Sequence, residues 1–277
     1  MKLAPNAEII SGEDYSMLCS RGTPQLVVIL VDASISMKRR IDGITCIQKA
    51  CDDVNHIINK LIGVNFDKDR PANRLFICVA AYDLEVKPIV CGYLSDIFDN
   101  PFRVDEKKRR EIGIDGTFVE IVYPQPIWLD LTATDHIANL RSGIDYTREL
   151  LLSWVRDKYH TLAPIVVNIT SNNHDVDEPL AESIQELKKI RTTDGEALFF
   201  NLVVDADENQ VFPIIKEKEG KANNLMFASS IIPANYQVRI WDEDNFVANP
   251  FRVAYTTSID SILSLLTASS HYPIRTS

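Results

Sequence analysis

The sequence predicts an α/β fold in which helices cover a mostly parallel central sheet. Residues 26–31 form a continuous apolar run, LVVILV, which is typical of a strand buried on both faces. Further apolar runs alternate along the chain with helical patterns, in which apolar residues recur at spacings of three and four. Such alternation favours parallel strands that are connected by helices.

The elements that follow the first strand are one helix and one hairpin. Residues 44–62 have the apolar spacing of a helix with a single buried face. Residues 74–82 and 86–91 are predicted strands joined by a short turn, and we expect them to form an antiparallel hairpin at one edge of the sheet. Pro88 favours an edge, because proline cannot donate a hydrogen bond to a neighbouring strand.

The second half of the chain begins with an insertion. Residues 100–127 are rich in charge and proline, and we interpret them as an insertion between core elements. The later predicted elements are a helix at 138–159, a strand at 164–169, a helix at 180–191, a strand at 197–204, a short apolar segment at 225–228 and a helix at 259–268. We therefore expect a single domain over residues 1–277, with its core at about residues 25–271.

Composition argues against nucleic-acid binding and membrane insertion. The 277 residues are 45% hydrophobic and carry a net charge of -10, whereas a nucleic-acid interface requires a basic patch. The dense basic run at residues 107–110 has acidic neighbours and is interpreted as a solvated loop. No apolar run approaches the roughly eighteen residues of a membrane span. The five cysteines show no Cys-x-x-Cys spacing and the N-terminus resembles no secretion signal, which favours a reduced, cytoplasmic protein.

The first predicted strand ends in a pattern that suits a metal ion. Asp32, Ser34 and Ser36 follow the apolar run at alternate positions, in the form Asp-x-Ser-x-Ser. Ligands of parallel sheets bind beyond the carboxyl ends of the strands, and three oxygen ligands there suit a divalent cation such as Mg²⁺ or Mn²⁺. Asp and Ser are also preferred helix caps, and the motif alone does not separate the two interpretations.

A second loop offers a further hydroxyl ligand. Thr134 precedes the helix predicted at residues 138–159 and belongs to the segment LTATDHIANLRSG. The same hydroxyl could cap that helix, and the two roles do not exclude each other, because one hydroxyl can face a metal while its neighbours cap the backbone. Thr132 is the weaker candidate in this loop.

These segments, in this order, resemble the von Willebrand factor A (vWA) domain, and more narrowly the bacterial TerY-like vWA proteins found with tellurite-resistance and stress-signalling systems. The similar segments are LVVILVDASISM, TATDHIANLRSG, PIVVNITSNNHDVD, TTDGEALFFNLVVD and FPIIKEKEGKANNLMFASSIIP. The resemblance implies a doubly wound, Rossmann-like sheet with helices on both faces and one antiparallel edge strand. It also implies a metal-ion-dependent adhesion site formed by Asp32, Ser34, Ser36, Thr134 and the position now held by Ser171.

Ser171 is a departure from the family pattern. The family has Thr-Asp-Gly after this strand, whereas this chain has Thr170, Ser171 and Asn172. Loss of a carboxylate weakens cation affinity, while a less neutralised cation attracts an acidic partner more strongly. Asp175 or Asp177 in the same loop could compensate, or could be ordinary solvated loop residues.

The resemblance implies a non-catalytic module for protein–protein interaction. The metal, Mg²⁺ or Mn²⁺, would bind a Glu or Asp of a partner protein, which the family suggests is a kinase or phosphatase of a signalling system. A metal-independent scaffold is the main alternative.

An enzyme is the third possibility, with Ser34 or Asp32 as nucleophile and His174 or His136 as base. The absence of a Gly-x-Ser-x-Gly elbow and of a glycine-rich phosphate loop from the sequence argues against it.

Overall fold

A computed structural model describes residues 14–112, 117–171, 176–205, 210–215, 224–241 and 247–270. The strands are β1 (Gln25–Asp32), β2 (Arg40–Ile41), β3 (Ile44–Thr45), β4 (Phe66–Asp67), β5 (Arg70–Pro71), β6 (Leu75–Tyr82), β7 (Val86–Tyr93), β8 (Arg103–Ile112), β9 (Phe118–Ile127), β10 (Ile165–Thr170), β11 (Leu198–Val203) and β12 (Tyr255–Thr256). The helices are α1 (Cys46–Val64), α2 (Leu94–Asp99), α3 (Leu140–Asp157), α4 (Glu178–Lys188), α5 (Asn224–Ala228), α6 (Ala234–Trp241) and α7 (Ile259–Ser270), and a 3-10 helix spans Ile35–Lys38.

The central sheet has six strands in the order β12-β11-β10-β1-β6-β7. Every neighbouring pair is parallel except β6 and β7, which pair antiparallel at one edge. Counted along the chain, the order is 3-2-1-4-5-6, which is the order of a doubly wound α/β sheet. The predicted fold class and its single antiparallel edge strand are confirmed.

Alternating side chains of β1 supply two separate hydrophobic cores. All eight residues of β1 are buried, and they point in turn to opposite faces of the sheet. Val27, Ile29 and Val31 pack on the face that α1 and α7 cover, whereas Leu26, Val28 and Leu30 pack on the face that α3 and α4 cover. A strand buried on both faces requires the continuous apolar run that predicted it.

Local sequence determines where the two long helices lie. Thr45 and Gln48 form a reciprocal capping box at the start of α1, in which each side chain accepts a hydrogen bond from the other's backbone N–H. Gly143 lies on the sheet side of α3, where an added Cβ would come within 3.4 Å of Leu30 and 3.5 Å of Tyr82. A glycine there lets α3 pack closely against the sheet.

A chain of buried hydrogen bonds crosses the sheet beneath its carboxyl edge. The Tyr82 hydroxyl donates to Asn168 Oδ1 at 2.9 Å, and the Asn168 amide donates to Asn201 Oδ1 at 2.9 Å. Asn201 in turn donates to the Ser229 hydroxyl at 2.9 Å. Each polar group is thereby satisfied in an apolar core, as burial requires.

The segment predicted as an insertion forms a separate two-stranded ribbon. β8 and β9 pair along ten residues each and belong to no larger sheet in the described part of the chain. Residues 107–110 therefore lie in a strand, so the prediction of a loop was wrong, although their exposure agrees with it. Only Val104 and Ile112 of the ten residues of β8 are apolar, so the strand has neither an apolar run nor an alternating pattern, which is why it was missed.

Most other predicted elements are confirmed within a few residues. The short elements were not predicted, because two paired residues or a few helical ones give little periodicity. They are the strands β2, β3, β4, β5 and β12, the helices α2 and α6, and the 3-10 helix. Among the described residues, none of the helices combines the length and the apolar character needed to cross a bilayer.

Adjacent leucines on α3 test the packing of one core. Leu151 is fully buried, whereas Leu152 is 49% exposed. We expect Leu151→Ala to lower the free energy of unfolding by about 2–5 kcal/mol, because it leaves a cavity. Leu152→Ala, the matched control, should cost less than about 1 kcal/mol. Urea denaturation of both variants measures the difference, and equal losses would contradict the packing described for α3.

Candidate functional site

The predicted site lies where the strand order of the sheet reverses. β1 pairs with both β6 and β10, so the chain winds outward in opposite directions from the junction of β1 and β10. In open α/β sheets, ligands bind beyond the carboxyl ends of the strands at such a switch point. Asp32 ends β1, and Ser171 directly follows β10, so these two residues flank the junction.

Asp32 is a fully buried carboxylate surrounded by hydrogen-bond donors. Its Oδ1 accepts the backbone N–H of Ser34 at 2.8 Å, and its Oδ2 accepts the hydroxyl of Thr170 at 2.8 Å. The hydroxyl of Ser36 makes a longer contact with Oδ2 at 3.5 Å. These donors offset part of the cost of removing the carboxylate from water.

Three serine hydroxyls form a cluster above Asp32. The Ser34 and Ser36 hydroxyl oxygens are 2.9 Å apart, and the Ser171 hydroxyl donates to Ser36 at 3.1 Å. Since the Ser36 proton points to Asp32, Ser34 acts as the donor to Ser36. Ser34 and Ser171 are each 1% exposed, whereas Ser36 is half-buried and is the member nearest to solvent. We call Asp32, Ser34, Ser36 and Ser171 the hydroxyl cluster.

Thr134 lies beside this cluster, and its hydroxyl faces a second carboxylate. The Thr134 N–H donates to the carbonyl of Ala33 at 2.8 Å, which places the Thr134 loop against the Asp32 motif. Its hydroxyl accepts the N–H of His136 at 3.2 Å and hydrogen-bonds to the carboxylate of Asp83. The structure thus joins four of the five predicted residues directly and holds Thr134 in an adjacent group.

Asp83 organises that adjacent group. It follows β6, accepts the N–H of Glu85 at 3.1 Å, and contacts His136 Nδ1 at 3.2 Å. The hydrogen bond from Glu85, followed by those from His136 and Thr134, lowers the pKa of Asp83, although burial opposes this shift. Asp83 is therefore held as an anion at neutral pH.

A third carboxylate lies at the same edge and is paired with an arginine. Asp205 follows β11 and is buried, and Arg39 forms an ion pair with its carboxylate at 2.5 Å. Arg39 also donates to the Asp205 backbone carbonyl at 2.7 Å. This contact anchors the end of the 3-10 helix that carries Ser36 to the end of β11.

The carboxylate of Asp32 also affects the tyrosine beneath it. Burial, followed by the negative charge of Asp32, raises the pKa of Tyr82 well above its usual value, although a hydrogen bond with Thr170 lowers it slightly. Tyr82 therefore keeps its proton and remains the donor to Asn168 that the buried hydrogen-bond chain requires.

Sequence reasoning missed Thr170, Asp83 and Asp205. Asp83 directly follows β6, and Asp205 follows β11 after one residue, Val204. Asp32 was identified because a carboxylate ends a buried apolar run, and the same criterion could have found both aspartates. Thr170 gave no such signal, because a threonine at the end of a strand is ordinary. Its role follows only from the parallel pairing of β1 with β10.

Asp177 and His136 make their contacts outside the hydroxyl cluster. Asp177 caps α4 by accepting the N–H of Leu180 at 2.9 Å, which is a helix-capping role. Asp175 and His174 lie outside the described residues. His136, the other proposed base, contacts Asp83, whereas the hydroxyl of Ser34 contacts that of Ser36.

The hydroxyl cluster has the donor chemistry of a hard divalent cation. One carboxylate and three hydroxyls supply only oxygen ligands, which Mg²⁺ and Mn²⁺ prefer. Across the described residues, no group of three or more His, Cys, Asp or Glu side chains is placed to bind a metal, so a nitrogen- or sulfur-rich centre finds no support there. Cation binding at this cluster requires the hydroxyl protons to turn away from the shared centre.

Two exposed isoleucines flank the cluster. Ile35 is 48% exposed and Ile137 is 78% exposed, and each belongs to one of the two loops that carry predicted ligands. The Ile35 N–H donates to the carbonyl of His136 at 2.8 Å, which joins these loops. Lys38 and Asp135 make a second link between them. The result is a polar centre with an apolar rim.

Comparisons with solved structures give distant fold neighbours. Proximal thread matrix protein 1 from the mussel byssus is 14% identical over 91% of this chain and 48% of its own, with a TM-score of 0.46. The conserved hypothetical protein BatB from Bacteroides thetaiotaomicron is 9% identical over 70% of this chain and 73% of its own, with a TM-score of 0.39.

The ArnB paralog VWA2 from Sulfolobus acidocaldarius is 13% identical over 68% of this chain and 36% of its own, with a TM-score of 0.38. The aligned part thus spans less than half of the mussel and archaeal chains. No protein-family model and no curated protein matches the sequence. These TM-scores are low, and nothing about the activity of this chain follows from them.

The hydrogen bond from Thr170 to Asp32 can be tested by removing one hydroxyl. We expect Thr170→Val to lower the free energy of unfolding by about 1–3 kcal/mol, because a buried carboxylate loses a donor without a large change in shape. Thr170→Ser retains the hydroxyl and should recover much of this loss. Urea denaturation distinguishes the variants, and equal stability of Thr170→Val and the native chain would contradict the assigned role.

Proposed function

We propose that this chain is a non-catalytic vWA-type interaction module, which binds an acidic side chain of a partner protein through a divalent cation. The observation that carries the proposal is the position of the hydroxyl cluster at the β1–β10 junction. An oxygen-only ligand set at the ligand-binding edge of a doubly wound sheet suits Mg²⁺ or Mn²⁺.

The charge of the cluster favours recognition of an anion. Asp32 is its one carboxylate, so a bound divalent cation would keep a net positive charge and attract a carboxylate of the partner. Asp32, Ser34, Ser36 and Ser171 would hold the ion directly or through water, and Thr134 would contribute from the adjacent loop. The half-buried position of Ser36 leaves a route from solvent to the cluster.

The apolar rim supports a protein as the partner. Ile35 and Ile137 expose apolar surface beside a polar centre, an arrangement that suits an interface with a charged anchor and surrounding apolar contacts. A small ion or metabolite would gain little from contacts on this rim. A partner protein can cover both isoleucines while it places one Glu or Asp in the centre.

The β8–β9 ribbon is a second candidate surface for choosing the partner. Strand β8 carries five basic and three acidic residues, whereas the whole chain has a net charge of -10. The ribbon is therefore the more basic part of an acidic molecule and would attract an acidic partner. Its exposed Ile112 and Phe118, which face each other at one end of the ribbon, add apolar contact area.

The family resemblance suggests that the partner is a kinase or phosphatase of a stress-signalling system. Catalysis by this chain itself has less support. The Ser34 hydroxyl contacts another hydroxyl, and the imidazole of His136 contacts Asp83, so these two described candidates are not paired as nucleophile and base.

A metal-independent interaction surface is the second candidate, and one observation favours it. The serine hydroxyls and Asp32 satisfy one another by hydrogen bonds, so the cluster is stable as a closed polar network without a cation. Ser171 in place of the family's aspartate lowers the electrostatic gain from a cation. In this case Ile35, Ile137 and the β8–β9 ribbon would bind the partner without a cation.

Cation binding separates these two candidates. We expect calorimetric titration with Mg²⁺ or Mn²⁺ to show saturable binding, which Ser36→Ala weakens by roughly tenfold, or about 1.4 kcal/mol. Ser171→Asp should tighten binding by about tenfold or more, because it adds a negative charge beside the cation. Thr132, the weaker candidate in the Thr134 loop, is exposed and lies outside the hydroxyl cluster, so Thr132→Ala is the control and should have no effect. Binding by Ser171→Asp alone would favour the metal-independent surface.

A small carboxylate probes whether the cation has an open position. Bound Mn²⁺ should increase the relaxation rate of water protons, and acetate should reduce this enhancement because its carboxylate replaces a bound water. Acetamide has nearly the same shape without the charge, and it should leave the enhancement unchanged. An equal response to acetate and acetamide would argue against recognition of a partner carboxylate by the cation.

A further inference from the structure

Two cysteines face each other on the antiparallel edge of the sheet. Cys78 on β6 is the direct register partner of Cys91 on β7. Facing residues of antiparallel strands have Cα atoms about 4.5–5.5 Å apart, and a disulfide requires roughly 4.4–6.8 Å. The backbone therefore already has the separation that a cross-strand disulfide needs.

The two thiols contact each other and differ in exposure. Both cysteines are free, and their side chains are hydrogen-bonded to each other. Cys78 is fully buried beneath α3, where its sulfur lies 3.7 Å from the hydroxyl of Tyr146. Cys91 is exposed on the edge strand. A reagent from solvent can therefore reach Cys91 first and leave Cys78 protected behind it.

The hydrogen bond makes the two thiols unequal in acidity as well. Donation from Cys78 stabilises the thiolate of Cys91 and lowers its pKa, whereas the same bond and burial raise the pKa of Cys78. Burial raises the pKa of the other three cysteines, Cys19, Cys46 and Cys51, to about 12 for Cys19 and about 11 for Cys51. Cys91 is the more reactive sulfur by both exposure and acidity.

We propose that Cys78 and Cys91 form a peroxide-reactive dithiol that closes reversibly to a cross-strand disulfide. In the first step the Cys91 thiolate attacks an oxygen of hydrogen peroxide, the O–O bond breaks, and hydroxide leaves and takes up a proton as water. In the second step the Cys78 sulfur attacks the Cys91 sulfenic acid, the S–O bond breaks, and water leaves with the Cys78 proton. Two thiols and one peroxide thus give one disulfide and two waters.

The bond would act on an edge strand of the sheet. Within the described part of the chain β7 pairs with β6 alone, so a covalent link to β6 holds it in the sheet. A disulfide that is exposed on one side is readily reduced by small dithiols, which makes the step reversible. The dithiol lies on a different strand pair from the hydroxyl cluster, so this proposal stands independently of the proposed adhesion function.

The test uses the full chain treated with hydrogen peroxide at neutral pH. We expect the intact mass to fall by two hydrogens, about 2 Da, and the number of reactive thiols after denaturation to fall from five to three. Peptide mapping should link Cys78 to Cys91, and dithiothreitol should restore both thiols. A gain of oxygen at Cys91 without loss of hydrogen would overturn the proposal.

Two variants make the result specific. Cys91→Ser changes an exposed side chain, should fold normally, and should abolish the loss of two hydrogens. Cys19→Ala removes a buried cysteine elsewhere in the fold and should retain that loss. Persistence of the mass loss in Cys91→Ser would assign the oxidation to other cysteines and would overturn the proposal. Cys78→Ala should trap oxygen addition on Cys91, provided that far-ultraviolet circular dichroism shows a native fold.

Discussion

The structure depends on one buried charge at the centre of the sheet. Asp32 ends a strand whose eight residues are all buried, so its carboxylate is shielded from water. The fold must bring donors to it, and these come from three places: the turn after β1, the 3-10 helix, and the end of β10. The positions of these segments therefore provide the hydrogen bonds that stabilise the buried carboxylate of Asp32. If β10 did not lie beside β1, the Asp32 carboxylate would lose the hydrogen bond from Thr170.

The carboxyl edge of the sheet divides into groups with different electrostatic character. Asp83 has a basic ring and two backbone or hydroxyl donors around it, and Asp205 has an arginine. Asp32 is instead surrounded by neutral hydroxyls and a backbone N–H. The neighbouring acids Asp83 and Asp205 each contact a side chain of another loop, and these contacts hold the loops in place.

Features that depend on a local sequence pattern were predicted correctly. Contacts between segments that are distant in the chain were not predicted, because no local pattern encodes them. The run of β1 and the spacing of α1 and α3 gave both cores, and the Asp-x-Ser-x-Ser motif gave three members of the site. Ser171 required the family resemblance, because nothing in its own neighbourhood marks it. The direction of the Thr134 hydroxyl depends on a contact with Asp83, about fifty residues away in the chain, and no local pattern encodes that contact. Cys78 and Cys91 face each other because of the register between β6 and β7. A bulge after Val79 shifts that register by one residue, which the sequence does not show.

The buried asparagines of β10 and β11 bear on how the chain finds its correct strand alignment. Both strands are almost entirely apolar, and apolar parallel strands could pair in several offsets with similar burial. Asn168 and Asn201 are direct register partners joined by a hydrogen bond. A slip of one residue would turn one amide to the opposite core, and a slip of two would separate the two amides and break their hydrogen bond. The pair therefore selects one alignment during folding and penalises the others, at the cost of placing two polar groups where leucine or valine would bury more apolar surface.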